Sequence, residues 1–400
     1  MLALLLGLQP VTTDLYLPAL PAITQGFGAG MGQAQLTLTA LLLAFGLSQL
    51  VWGPLSDRFG RRPILLWGMV AYTLASVACA FAPNMAWLIA GRTLQGIAMG
   101  AGVMAARAVV RDLYQPLQGA HVMSQALTGS GIIACTCAPM GGMLTDWLGW
   151  RIALLMLALF GAVTLALLFW RFEETLAHPD PQALSAGPLI QANLDILRHP
   201  TFRTWCALSA GSYLGLFTFL ASSSFVFVTH MGYSKTAYGF LMLSMSLSYI
   251  VGTFLCRWLL RRTPVHRTVG MAAGLTITGG VSMAALAYAG EGQDWYGAWA
   301  VMVPMYIFMM GHGVHQPCSQ SGAVAPFPQR AGTASALNGF LMMLGAFFMG
   351  AWLGTHMDRP VFALAHGLLL WAVVITVLAW TAVQRHGRPM ATAQPASAKA

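Results

Sequence analysis

Charge is what this sequence has least of. Asp, Glu, Lys and Arg make up 8% of its 400 residues, where soluble domains carry roughly a quarter. A chain that is 57% hydrophobic cannot hide its apolar surface in water, because even a well-packed globule leaves much of its area exposed. A mean hydropathy of +0.68 makes lipid the solvent for most of the chain. Cysteine is sparse too: the six residues 79, 135, 137, 206, 256 and 318 all fall inside apolar segments. Cys135 and Cys137 stand two apart without the His or Cys partners of a zinc site, so they read as helix-packing residues. No disulfide framework, metal or cofactor is expected. No H-E-x-x-H or G-x-S-x-G element is present, which leaves no catalytic residues to assign and argues against an intramembrane enzyme. A channel filter motif is missing as well. Met1–Leu8 lacks the basic region and the cleavage site of a signal peptide. It reads as the start of a first membrane helix, whose abrupt beginning leaves an upstream start codon open.

The 43 glycines and 20 prolines would break up a soluble helical protein, but neighbouring helices re-satisfy the freed backbone groups in a bilayer. Cutting at charged and Gly/Pro-rich breaks leaves twelve apolar runs of roughly 20 residues, enough to cross about 30 Å of hydrocarbon. They fall near 2–23, 34–55, 63–82, 86–106, 122–145, 152–171, 204–228, 237–259, 268–289, 297–318, 333–355 and 361–383. The fifth and tenth are the most interrupted. The net charge of +9 does not mark a nucleic-acid binder, because the basic residues sit in short loops rather than on one face or tail. With a cytoplasmic N-terminus, every loop Lys and Arg except Arg151, Lys235 and Arg359 lies on the cytoplasmic side, as the positive-inside rule requires. Both termini are therefore expected in the cytoplasm.

The longest loop, 172–203, divides the chain six spans to six. The expected organisation is an N-terminal bundle (1–171), this loop, a C-terminal bundle (204–383) and a cytoplasmic tail (384–400). Gly53 to Arg58 closes the second span and Gly252 to Arg257 the eighth, each followed by an arginine cluster. Six plus six with an echo between the halves is the pattern of a two-bundle carrier.

Two ionisable residues lie deep in spans: Asp14 in the first and Arg92 in the fourth. A charge at such depth costs at least about 2.5–3.5 kcal/mol, so by default it faces a cavity and serves function. Asp14 is about 14 Å from the outer end of its span and Arg92 about 9 Å, heights that would let them pair directly or through Gln95. Burial favours the neutral carboxyl and a nearby arginine the ionised one, so protonation and cation binding would compete for Asp14. A static pair that only fixes helix packing is the alternative. Arg92, Gln95 and Met99 share one helical stripe, expected to line a central cavity, although a Met at this spacing also serves packing. Tyr213, Phe217 and Phe219 are candidate walls from the second half, with Thr13 and Leu17 beside Asp14. The 24 Met and the aromatic residues suit an adaptable apolar pocket. His312 and His315 titrate near neutral pH in ordinary surroundings, but two histidines do not make a metal site, and hydrogen-bonded packing is the plainer reading.

Gly53-Pro-Leu-Ser-Asp57-Arg58-Phe-Gly60-Arg61-Arg62 matches the G-x-L-x-D-R-x-G-R-R signature of the major facilitator superfamily. Asp14-Leu-Tyr-Leu-Pro-Ala-Leu-Pro21, Arg107-Ala-Val-Val-Arg111-Asp-Leu-Tyr114 and Arg330-Ala-Gly-Thr-Ala-Ser-Ala-Leu337 together make the chain resemble its bicyclomycin/chloramphenicol-resistance (Bcr/CflA) branch of drug–proton antiporters. The resemblance implies an all-α, twelve-helix membrane protein of the bacterial inner membrane, with two six-helix bundles and alternating access. It also implies Asp14 as the proton site, with Arg92 and Gln95 in proton coupling. Gly53, Asp57, Arg58, Gly60, Arg61, Arg62 and Arg111 would form a cytoplasmic latch between bundles. Pro139, Gly141 and Gly142 would form the fifth-helix element typical of antiporters, here with Ala138 in place of a Gly. Small lipophilic drugs, protons and membrane lipids would be the partners of a monomer, with no nucleic acid. A metabolite carrier on the same fold is the rival. Gly311-His-Gly-Val-His-Gln-Pro317 differs from the apolar, Asn-containing stretch the resemblance leads one to expect there, so the resemblance by itself does not set the substrate range.

Overall fold

The computed structural model describes residues 1–386 except 178, 180 and 182; the side chains of 116, 117, 120, 124, 186 and 188 are also outside that description. Most of the expected tail, with Arg388 and Lys399, lies outside the described residues. All regular structure among the described residues is helical. The helices are α1 (Leu2–Asp14), α2 (Leu20–Gly26), α3 (Met31–Phe59), α4 (Arg61–Ala80), α5 (Met85–Leu113), α6 (Pro116–Leu148) and α7 (Trp150–Arg171). The second half follows with α8 (Ala186–Arg198), α9 (Pro200–Ser224), α10 (Lys235–Leu260), α11 (Val265–Gly290), α12 (Ala298–Val324), α13 (Ala331–His356), α14 (Pro360–Trp380) and the short α15 (Ala382–His386).

Ten of these elements are long and apolar enough to cross a membrane among the described residues. The first and tenth spans complete the twelve. The first differs from the unbroken helix the sequence led us to expect. It consists of α1, a 3-10 turn over Leu17–Ala19 and α2. Pro18 and Pro21 cause the break, since neither has an N–H to return to the carbonyl four residues back. The tenth span, α12, carries Pro304 and Pro317 together with polar His312, His315 and Gln316. The fifth, α6, is continuous through Pro139, so its small and polar residues interrupt the sequence pattern but not the helix. The stretch after α7 holds the amphipathic α8, which packs on α9 and α13.

In the first bundle α3 packs on α5, α4 on α5 and α7, and α1 on α6; in the second, α11 packs on α12 and α14, and α9 on α12, α13 and α14. The bundles meet where α3 packs on α13 and α6 on α10. Large apolar side chains such as Trp67, Leu74, Trp147, Trp170 and Phe254 are more than half exposed. In water such a surface would aggregate; around a bundle of spans it is the face that lipid covers.

Candidate functional site

A cavity of about 410 Å³ sits between the bundles. Asp14 is the carboxylate on its wall, set at the last residue of α1 where the helix breaks. Thr13, whose hydroxyl donates to Asp14 Oδ1 at 2.8 Å, and Leu17 flank it; Tyr213 and Phe217 of α9 stand on the second bundle's side. A larger space of about 1160 Å³ lies toward the cytoplasmic loops, bordered by Gly53, Asp57, Arg61 and Arg111 of one bundle and Ser321 and Ser335 of the other.

The opposite, outer end is shut. Gln35 Nε2 donates to the Ala221 carbonyl across the bundles at 2.6 Å. The Asp146 carboxylate at the end of α6 accepts from the Thr236 amide and hydroxyl, both at 2.8 Å, and from Lys235 Nζ at 3.0 Å. It thereby caps α10 from the other bundle. Gly142 lies so close to the Lys235 carbonyl that a Cβ there would stand 2.3 Å from it, and a Cβ on Gly239 would stand 2.5 Å from the Ala138 carbonyl. The structure therefore faces the cytoplasm. Asp146 escaped the sequence reading because an acidic residue beside Trp147 at a helix end looks like an ordinary solvated terminus.

Asp14 and Arg92 do not pair, and Gln95 does not bridge them. Arg92 is wholly buried; its terminal nitrogens donate to Gln95 Oε1 at 2.9 Å and to the Thr12 carbonyl at 3.0 Å. Its guanidinium carbon lies 4.1 Å from the centre of the Tyr16 ring, a contact that partly replaces a counterion. Gln95 passes the chain on to Ser76 at 2.6 Å, and Thr12 meets Tyr72 at 2.7 Å. Thr12 and Asp14 are two residues apart, roughly 200° around a helix. The face of α1 that meets α4 and α5 is thus opposite the face that carries Asp14. For the same reason Arg92, Gln95 and Met99 do not line the cavity; Met99 is wholly buried within the first bundle. Phe219 is also core rather than wall, edge-on to Phe227 at 6.4 Å.

Pro139, Gly141 and Gly142 lie where α6 meets both the broken first span and α10. A Cβ on Gly141 would come within 2.2 Å of the Leu15 carbonyl, so only glycine lets α6 press on the residue after Asp14.

At the cytoplasmic end Arg61 is buried and gathers the loop. Its Nη1 contacts Asp57 at 2.6 Å and the Ser56 hydroxyl at 2.6 Å, and its Nε donates to Asp112 at 2.8 Å. Arg111 approaches Asp57 at 3.6 Å. Arg58 lies over the Phe59 ring and Arg62 donates to the Phe169 carbonyl at 3.3 Å. These ties join α3, α4, α5 and α7, all within the first bundle. Glu174, which sequence reasoning missed, is the hub of the loop. It accepts from the amides of Arg61, Arg62, Thr175 and Leu176 at 2.9–3.0 Å. Burial alone would raise its pKa, but the four amides outweigh that and hold it below the usual carboxylate range. Gly60 has φ 97°, and a Cβ there would meet the Glu174 carboxylate at 2.5 Å. The motif's glycine thus serves both the turn and the carboxylate. The available signal was a carboxylate pair, Glu173-Glu174, just past a span in an acid-poor chain.

His312 borders the cavity and His315 does not. The fully buried His315 meets the Thr276 hydroxyl at 3.0 Å.

Two bundles packed around a central carboxylate-bearing cavity, sealed at one end, define a secondary carrier. The model of the Major Facilitator Superfamily matches residues 2–350, and the chain belongs to that family. It is 29% identical over 352 residues to Multidrug resistance protein D of Escherichia coli (strain K12), covering 86% of this chain and 85% of the relative. Chloramphenicol resistance protein of Pseudomonas aeruginosa is 28% identical, with 91% and 83% covered. Bicyclomycin resistance protein homolog of Haemophilus influenzae is 26% identical, with 95% and 94% covered. The Bcr/CflA branch expected from the three motifs around Asp14, Arg107 and Arg330 is represented among the relatives. The fold matches the human organic anion transporter MFSD10 (TETRAN) with a TM-score of 0.70 at 20% identity, covering 95% of this chain and 97% of that one. The D-xylose-proton symporter matches with a TM-score of 0.67 at 16% identity, covering 94% and 95%. The chain is a multi-pass protein of the bacterial inner membrane.

Proposed function

We propose that this chain exports small lipophilic drugs in exchange for protons, by alternating access of its two bundles. The observation that carries the reading is the central cavity: mostly apolar walls, with one carboxylate, Asp14, at a helix break between a sealed outer end and a cytoplasmic vestibule. The names of the relatives, which include resistance proteins for several drugs, support the same substrate class.

An apolar compound entering from the vestibule displaces water from around Asp14 and gains about 25 cal/mol per Å² of apolar surface it buries. A cationic or hydrogen-bonding compound needs the carboxylate, so it competes with the proton there. Thr13, Leu17, Tyr213 and Phe217 form the walls. Arg92 acts on Asp14 through the backbone instead of pairing with it: it holds the Thr12 carbonyl at the start of the break, and Gly141 presses on Leu15 at its other side. Asp57, Arg61 and Asp112, with Arg111 at the edge, form a preassembled half of the cytoplasmic latch that engages the second bundle when the vestibule closes. The bundles, 1–171 and 204–383, move as units joined by 172–203, in a monomer surrounded by lipid.

The test is drug-evoked proton release from purified protein in weakly buffered detergent, wild type against Asp14→Asn, across a panel of lipophilic compounds. Wild type releases protons on drug addition and the variant, though folded, does not. Proton release by Asp14→Asn, or its continued uphill efflux in vesicles, would remove Asp14 from the coupling role.

A further inference from the structure

The cavity's second wall is chemically distinct from the first. His312 and Gln316 stand one turn apart on α12 and both border the cavity, 4% and 9% exposed. The imidazole of His312 is fixed on two sides. Its Nδ1 lies 3.1 Å from the Ser212 carbonyl and 2.8 Å from the Ser212 hydroxyl, and its ring tilts against Tyr249 with centroids 5.5 Å apart. A carbonyl oxygen only accepts, so the neutral ring carries its proton on Nδ1. Nε2 is left with a bare lone pair to which no described group donates. Gln316 Oε1 is likewise buried without a donor. Across the cavity the Asp14 carboxylate, while ionised, also only accepts.

We propose that His312 is a specificity residue of this cavity, whose Nε2 selects lipophilic compounds carrying a hydrogen-bond donor (a hydroxyl, a secondary amide or an ammonium) over analogues that only accept. The inference rests on the reading of the cavity as the transport site. A donor moved from water into an apolar pocket loses its hydrogen bond to water, and a waiting acceptor restores it. An ether or ketone oxygen placed against His312 Nε2 meets only a lone pair. The packing that sets this orientation is built in. A Cβ on Gly313 would crowd the Tyr249 carbonyl at 2.7 Å, and one on Gly311 would meet the Thr276 hydroxyl at 2.4 Å, so both glycines let α12 sit close enough for His312 to reach Ser212.

The probes are 4-phenylphenol and 4-methoxybiphenyl, neutral compounds of similar size that differ in the donor. Their dissociation constants for the purified full chain are measured by tryptophan fluorescence. Wild type binds the phenol about tenfold more tightly, the worth of one well-placed hydrogen bond. In His312→Phe the ratio falls toward one while the ether's affinity is kept; His312→Met serves if the phenylalanine ring does not pack. Equal affinities in wild type, binding of neither probe, a ratio unchanged in the His312 variant, or a ratio lost only in Asp14→Asn overturns the proposal. Proton release without donor preference sinks this inference alone, whereas donor preference without proton release sinks only the antiport reading.

Discussion

Replacing Asp146 by alanine is expected to release the outer seal and move the resting protein toward an outward-facing state. The carboxylate touches only groups of the other bundle's α10: the Thr236 amide and hydroxyl at 2.8 Å and Lys235 at 3.0 Å. It acts as a helix cap supplied in trans. Loss of an N-cap costs about 0.5–2 kcal/mol. The ion pair adds about 0–1 kcal/mol, since the side chains of Lys235 and Asp146 are 26% and 20% exposed and water screens them. These contacts exist only while the outer ends of α6 and α10 touch, so the whole sum, about 0.5–3 kcal/mol, falls on the inward-facing state. That is a shift of roughly 2- to 150-fold in the ratio of the two states. The assay is pulsed electron paramagnetic resonance between spin labels at the exposed outer positions Gln33 and Gln293. A Cys135→Ser background suffices, because the other five cysteines are buried. The Asp146→Ala distribution gains a longer distance, and Asp146→Asn, which keeps one acceptor, gains less. A folded alanine variant with the wild-type distribution refutes the clamp.

Two further substitutions probe the loops and the helix break. Glu174→Ala removes the cap on α4 and lowers stability by about 1 kcal/mol, read as a lower melting temperature in detergent. Because the folded carboxyl titrates below its ordinary 4.5, the stabilisation is complete above pH 4.5 and disappears as pH falls from there through the folded value. Wild-type and variant melting curves therefore differ by a constant amount from pH 5.5 to 8 and converge only in stronger acid; a gap that closes near neutrality would mean another group is responsible. Gly141→Ala drives a methyl into the Leu15 carbonyl, which is backbone and cannot swing aside. It should cost about 1–3 kcal/mol and lower transport, while Gly131→Ala, with open space at its Cβ, serves as the control for melting temperature. Equal melting temperatures for the two would show that α6 does not depend on that approach.

Much of this was legible in the sequence because the bilayer simplifies the physics. A span must satisfy its own backbone, so twelve apolar runs and a one-sided distribution of arginines fix the helix number and the orientation with no knowledge of packing. The depth of Asp14 and Arg92 followed from 1.5 Å per residue. Which way a side chain points across a bundle was not legible. Asp14 and Arg92 have matching heights, yet α1 turns one toward the cavity and leaves the other behind it, and the break at Pro18 and Pro21 decides where the carboxylate stands. Met99 shares a stripe with Arg92 and so is carried into the core along with it.

The contacts made over long sequence separations were decided by the tertiary structure alone. Glu174 reaches the amides of Arg61 and Arg62, Asp146 caps a helix of the other bundle, and Ser212 holds His312 Nδ1 from 100 residues away. Composition and periodicity report what each segment needs from its solvent, and here they determined the class of protein. Hydrogen bonds between segments depend on rotation and register in the assembled bundles, which no local pattern encodes. The sequence thus determined that this chain is a two-bundle membrane carrier, and the fold decided which of its few polar atoms face the central cavity.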